Sequence, residues 1–315
     1  MDEYVQRHAP GPVVALHPSV ERARTALRAA LPALHGVSDS DLEFAWDWDG
    51  LEADVRYGFY RLYELLEVAA ADAERQIGAA GWREARAPIA AATAARWELH
   101  GLLAGLRDAD LDADPGGGEW TIRQTLGHML ASQRSYIWAT AWWIGHRDAP
   151  AEGFPTRVPE DQYAQMPSEE EEATGSLTEI GARLDELMDH GAARMALLNA
   201  DELAARARWS DLQLTAGFRL WRWSSHIREH TIQVEKTLVM LRRDPTEVDR
   251  LLRLIAGAYG RLEAKVFGVD PEAVEEPKAG GISAAAIVDG FAVVMDRYRA
   301  SIPAAARAKL PAPEE

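Results

Sequence analysis

Long stretches of alanine, leucine, arginine and glutamate, with few runs of β-branched residues, leave the α-helix as the one regular structure that nearly all of this chain favours. Eight helices are expected, at about 19–33, 51–78, 86–107, 121–147, 176–200, 217–242, 245–267 and 283–301. In the second, Phe59, Leu62, Leu66 and Ala69 recur at three- and four-residue steps and form an apolar stripe. Gly78 and Gly81 break it. Thr121 stands three residues before Gln124, so the fourth helix opens on a capping box. Asp244-Pro245 reads as N-cap and first residue of the seventh, and Ser283 caps the eighth. The long polar segment from 148 to 175 contains Glu169 to Glu172, which reads as a solvated acidic stretch and not as a site. The last dozen residues, rich in alanine and proline, are expected to fray.

Composition then removes whole classes of function. No run of about 18 apolar residues is present, which excludes a membrane-spanning helix. Met1-Asp2-Glu3-Tyr4 has no basic region leading into an apolar stretch, so no signal peptide is expected and a cytoplasmic location follows. A formal net charge of −16 argues against general nucleic-acid binding, where lysine and arginine displace counterions. The chain has no cysteine, so any metal has to be held by histidine or carboxylate.

An internal repeat is also suggested. Leu34, Gly36, Asp39, Asp41 and Leu42 match Leu103, Gly105, Asp108, Asp110 and Leu111, which pairs residues 19–78 with residues 86–147. The first copy has no histidine between positions 36 and 99 and so supplies no second metal site.

His226-Ile227-Arg228-Glu229-His230 carries two histidines four apart. On a helix they rise by about 6 Å and face nearly the same side, so two imidazoles can share one ion. His128 is the best candidate for a third ligand. Helical steps from it reach Gln124, Thr125, Ala131, Ser132, Ser135 and Ala139, a stripe of small and polar residues that leaves room for an open coordination position. The alternative is close helix packing around a hydrogen-bonded core histidine. His8, His17 and His35 fall in terminal or loop segments, and His100, His146 and His190 are isolated. Gln124 and Gln233 lie one turn from His128 and His230 and are candidates to orient water or a ligand. Glu229 and Arg228 point away and read as ion-pairing groups; Trp223, one turn before His226, is either a pocket wall or core.

The run Gly118-Glu119-Trp120-Thr121-Ile122-Arg123-Gln124-Thr125-Leu126-Gly127-His128, with Asp110-Leu111 before it and the His226/His230 pair 98 residues after His128, resembles the DinB-like superfamily. The resemblance covers about residues 86–267. It implies an all-α, four-helix bundle with a long crossover, here with an additional N-terminal helix pair and a C-terminal helix. The expected organisation is an extension at 1–85, the metal-binding bundle at 86–267, and a C-terminal helix and tail at 268–315. It also implies a divalent metal (zinc, nickel or iron) on His128, His226 and His230, with water in the open positions. Relatives of this kind include thiol-dependent S-transferases, maleylpyruvate isomerases and metal-dependent hydrolases. The function expected is activation of a low-molecular-weight thiol or of water toward a small electrophile; a non-catalytic metal- or ligand-binding stress protein is the alternative. Three neutral imidazoles leave the ion at +2, enough to bring a bound water's pKa toward about 7. The partner expected is a small-molecule substrate, with no nucleic acid or membrane and with homodimer formation open.

Overall fold

The computed structural model describes residues 14–48, 50–78, 83–209, 211–278 and 281–307. Among them are eight helices of 18 residues or more: α1 Pro18–His35, α2 Val55–Ile77, α3 Arg86–Leu103, α4 Ile122–Gly145, α5 Leu177–Met195, α6 Ala216–Met240, α7 Glu247–Val266 and α8 Ala284–Arg307. Each corresponds to one predicted from the sequence, and the all-α expectation holds. His8 and Gly81 lie outside the described residues; of the C-terminal dozen, α8 takes in those up to Arg307 and the rest lie outside. No helix among the described residues is long and apolar enough to cross a membrane.

The helix starts follow from their capping side chains. Thr121 Oγ1 accepts from the Gln124 amide at 3.2 Å, while Gln124 Oε1 accepts from the Thr121 amide at 2.9 Å. Ser283 Oγ accepts from the Ala286 amide at 3.1 Å. α7 begins later than Asp244-Pro245 predicts, because Thr246 makes the reciprocal box with Asp249.

Two β-hairpins stand where the sequence predicted loop or helix. Ala45–Trp48 (β1) pairs antiparallel with Leu51–Asp54 (β2), and Arg206–Trp209 (β3) with Leu212–Thr215 (β4). Four-residue strands are too short to establish a two-residue period against a helical background. Each hairpin delivers the N-cap of the helix after it. Asp54 Oδ1 accepts from the Tyr57 amide at 2.6 Å at the head of α2, and Thr215 Oγ1 accepts from the Phe218 amide at 3.1 Å at the head of α6.

The apolar core divides in two. Side chains of α3, α4, α5 and α6 form one cluster, and those of α1, α2, α7 and α8 form the other. Thus α7, grouped with the metal-bearing bundle in the sequence reading, turns Val248, Leu252, Ile255 and Leu262 into the second cluster, where they meet Trp97 from α3.

The seam between the clusters is both tight and charged. An added Cβ on Gly101 of α3 would lie 2.8 Å from Arg253 Cα, and one on Gly260 of α7 would lie 2.8 Å from Trp97 Cβ; only glycine lets these two helices approach so closely. Beside them Glu263 of α7 accepts from Arg24 of α1 (2.7 and 2.8 Å), from Arg96 of α3 (2.5 Å) and from Trp97 Nε1 (3.1 Å). Arg24 and Arg96 both reach on to Asp189 of α5. Glu263 and Arg96 are fully buried.

An internal repeat is present, with different partners from those predicted. The hairpins begin 161 residues apart (45 and 206), and so do the helices that follow (55 and 216). Val55, Phe59, Leu62, Leu66 and Ile77 are buried on α2, as are Ala216, Leu220, Trp223, Ile227 and Leu238 at the same offset on α6. α1 repeats as α5 with the same spacing: Ala23, Leu27 and Leu34 are buried on α1 where α5 buries Leu184, Met188 and Met195. The short match that pointed to residues 86–147 reflects a local device, a helix end followed by a capped turn: Ser38 with Asp41, and Arg107 with Asp110.

Candidate metal centre

α4 and α6 pack side by side in the first bundle and bring the three predicted histidines together. Their ring centroids lie 4.2 Å (His226–His230), 4.8 Å (His128–His230) and 5.4 Å (His128–His226) apart. One nitrogen from each lies within 4.8 Å of the others. His226 and His230 meet through Nε2 at 2.9 Å. Two lone pairs do not face each other at that distance, so a proton or a cation has to lie between them.

The outward nitrogens determine which atoms point in. Glu169 Oε1 lies 2.7 Å from His128 Nδ1; a carboxylate only accepts, so Nδ1 carries a proton and Nε2 is the atom left to act as a ligand. Gln233 Oε1 does the same for His230 Nδ1 at 2.8 Å. His226 Nδ1 is buried without a protein partner. Burial, reinforced by the neighbouring His230, holds His226 down to about 3, far below ordinary imidazole. Burial lowers His230 as well, against the opposing effect of its hydrogen bond to Gln233. Neutral imidazoles with converging lone pairs are the donor set that suits a divalent zinc, nickel or iron ion.

Above the histidines opens a cavity of about 590 Å³. Ala131, Ser132 and Ser135, the small and polar stripe of α4, form one side of it. Ser132 Oγ lies 3.5 Å from His128 Nε2. Tyr136, Trp209 and Arg222 form the other side, with the Arg222 guanidinium 5.4 Å from the Trp209 ring centre. Arg222 also donates to Glu229 at 3.0 Å and to Ser225 at 3.1 Å.

Of the two glutamines singled out from the sequence, Gln233 touches a histidine and Gln124 is used in the cap of α4. Arg228 pairs with Glu98, and Glu229 with Arg222, as expected for ion-pairing groups. Trp223 is fully buried in the core, and the aromatic wall is Trp209 from the unpredicted second hairpin. Four of the other histidines serve structure: His17 caps α1 and meets Glu275, His35 meets Asp249, His100 meets Asp185, and His146 stacks on Trp142.

The acidic run needs correction. Glu169–Glu172 forms a turn of helix packed on α4, with Glu169 on His128 and a buried Glu172 paired with Arg134. Gly127 makes this approach possible, since a Cβ there would collide with the Glu169 carbonyl oxygen and lie 2.8 Å from Ala173 Cβ. The glycine immediately before His128 was the available signal.

Neither a curated protein nor a solved structure matches the chain. Residues 91–234 do match a family model, the one described as the DinB superfamily. That stretch holds all three histidines and most of the four helices around them, and over it the chain is similar to the DinB superfamily.

Proposed function

We propose that the protein is a metal-dependent enzyme in which His128, His226 and His230 hold one divalent ion and a small substrate enters the cavity above them. The observation that carries this reading is the convergence of three imidazole nitrogens on the floor of an open, partly polar cavity. An ion held for structure alone would be enclosed by its ligands. When bound, a divalent ion supplies a Lewis acid that favours the deprotonated form of a thiol or water beside it.

The chain's own residues do the rest. Glu169 and Gln233 fix the tautomer of two imidazoles and hold their rings in place. Ser132 and Ser135 offer hydroxyls to the polar end of a substrate, and Tyr136 and Trp209 offer apolar walls to its body. Because the chain has no cysteine, a sulfur nucleophile has to arrive as a low-molecular-weight thiol. Thiol transfer to a small electrophile and hydrolysis of one are the two reactions this arrangement suits.

The test is metal analysis of the full-length protein, followed by turnover of model electrophiles with bacillithiol, mycothiol, glutathione or water alone. One ion per chain is expected, and His226→Ala loses both ion and turnover while keeping its helical spectrum. A protein that takes up none of zinc, nickel or iron would overturn the metal reading. A loaded protein inactive in every combination would leave a non-catalytic binding role.

A further inference from the structure

The second bundle repeats the first in its helix contacts as well as in its hairpin. α2 packs on α7 and α8 as α6 packs on α3 and α4. The start of α8 matches that of α4 at an offset of 162: Ser283 stands for the capping Thr121, and Phe291, Met295 and Tyr298 stand for Met129, Gln133 and Tyr136. Both hairpins place a tryptophan under an arginine of the following helix, Trp48 under Arg61 at 4.3 Å and Trp209 under Arg222 at 5.4 Å.

In these registers the positions of His226, His230 and His128 are taken by Leu65, Ala69 and Gly290. We infer that the chain is a fused pair of equivalent bundles with one live metal site, and that Leu65, Ala69 and Gly290 mark a silenced twin of that site which three imidazoles would reopen to a divalent ion. This rests on the reading that the histidine cluster holds a metal.

Two features show that the place has been kept. An added Cβ on Gly290 meets nothing within 4 Å, so a side chain there has open space. Asp72 occupies the position of Gln233, three residues past Ala69, so an oxygen acceptor is retained at that position, here paired with Arg75. What has changed is polarity: Val68 stands for Glu229 and Val293 for Ala131, both well exposed.

The experiment counts zinc per full-length chain by mass spectrometry. The wild type should hold one. The variant Leu65→His with Ala69→His and Gly290→His should hold two, and the same three changes in a His128→Ala, His226→Ala, His230→Ala background should hold one. A folded variant with no added ion in either background overturns the twin. A wild type without zinc overturns the metal reading instead, and the added ion is still counted against it. Should the histidine variants not fold, the cysteine-free chain allows Ala69→Cys with Gly290→Cys; a short bis-maleimide should bridge the pair, and a folded variant that stays unbridged overturns the inference.

Discussion

The bundle with the three histidines and the second bundle share helix order, hairpin placement and buried faces, yet among the described residues only the first has a histidine cluster. At matched positions the core residues differ freely, Phe59 for Leu220 and Leu62 for Trp223, while remaining apolar and buried. The bundle is therefore specified by the pattern of burial, and it tolerates many apolar sequences. The site depends on a few positions facing the cavity, where the identity of each side chain decides whether an ion can be held. Folding places little demand on those positions, so a duplicated bundle can lose its site and remain a bundle.

The seam that joins the two bundles is packed as well as charged, and breaking its charge network is the largest effect expected. Burial alone would raise the Glu263 carboxyl, but the guanidiniums of Arg24 and Arg96 outweigh it and hold it at about 2, against the usual 4.5. Between those values the unfolded chain binds a proton that the folded chain does not. The contribution of Glu263 is thus complete above about pH 4.5 and is lost as acid carries the pH down through about 2. Glu263→Gln removes the fully buried carboxylate that Arg24 and Arg96 share and leaves them only Asp189 and Asp185, for a loss of about 3–5 kcal/mol. Urea titrations at a series of pH values should show the destabilisation at neutral pH and a flatter acid slope. An unchanged midpoint would mean that the bundles are held by apolar packing alone.

Much of the live site could be read from the sequence because its signals are local. The His226/His230 pair declares itself by spacing, His128 by its small and polar neighbours and the tryptophan-led run before it, and Gln233 by lying one helical turn from His230. Glu169 gave no such signal. It sits 41 residues from His128 in a run of four glutamates, and such a run in isolation is a solvated surface. Only tertiary packing over Gly127 makes one of the four a histidine partner. Trp209 was hidden for a related reason: its strand has four residues and packs as a hairpin whose place is fixed by the helix after it. The true repeat was missed because it conserves burial at an offset of 161, while the shorter match conserved identities.

Glu169 offers a second, smaller test of how the bundles differ. The second bundle needs no carboxylate of this kind, because Leu65, Ala69 and Gly290 stand at the positions of the three clustered histidines. Glu169→Ala should weaken metal affinity by about 10–100-fold, the usual cost of removing a partner that orients a ligand histidine. Glu170→Ala, one residue along the same exposed turn, should leave affinity unchanged. Calorimetric titration with zinc gives both values, and thermal melts of the two apo proteins should coincide. Equal affinities for the two variants would assign Glu169 to the solvated surface after all.

The smallest effect separates scaffold from site within the pair that both bundles retain. Arg61 on Trp48 and Arg222 on Trp209 hold each hairpin to the helix it caps, a contact worth about 0.5–2 kcal/mol. Arg61→Leu and Arg222→Leu should then cost similar stability in urea. Arg222 alone faces the cavity above the histidines. If it also meets substrate, Arg222→Leu raises KM at unchanged metal content, and Arg61→Leu does not. Matched stability losses with unchanged KM in both would assign the arginine–tryptophan pair to the fold in either bundle, leaving Ser132, Ser135 and Tyr136 to recognise the substrate.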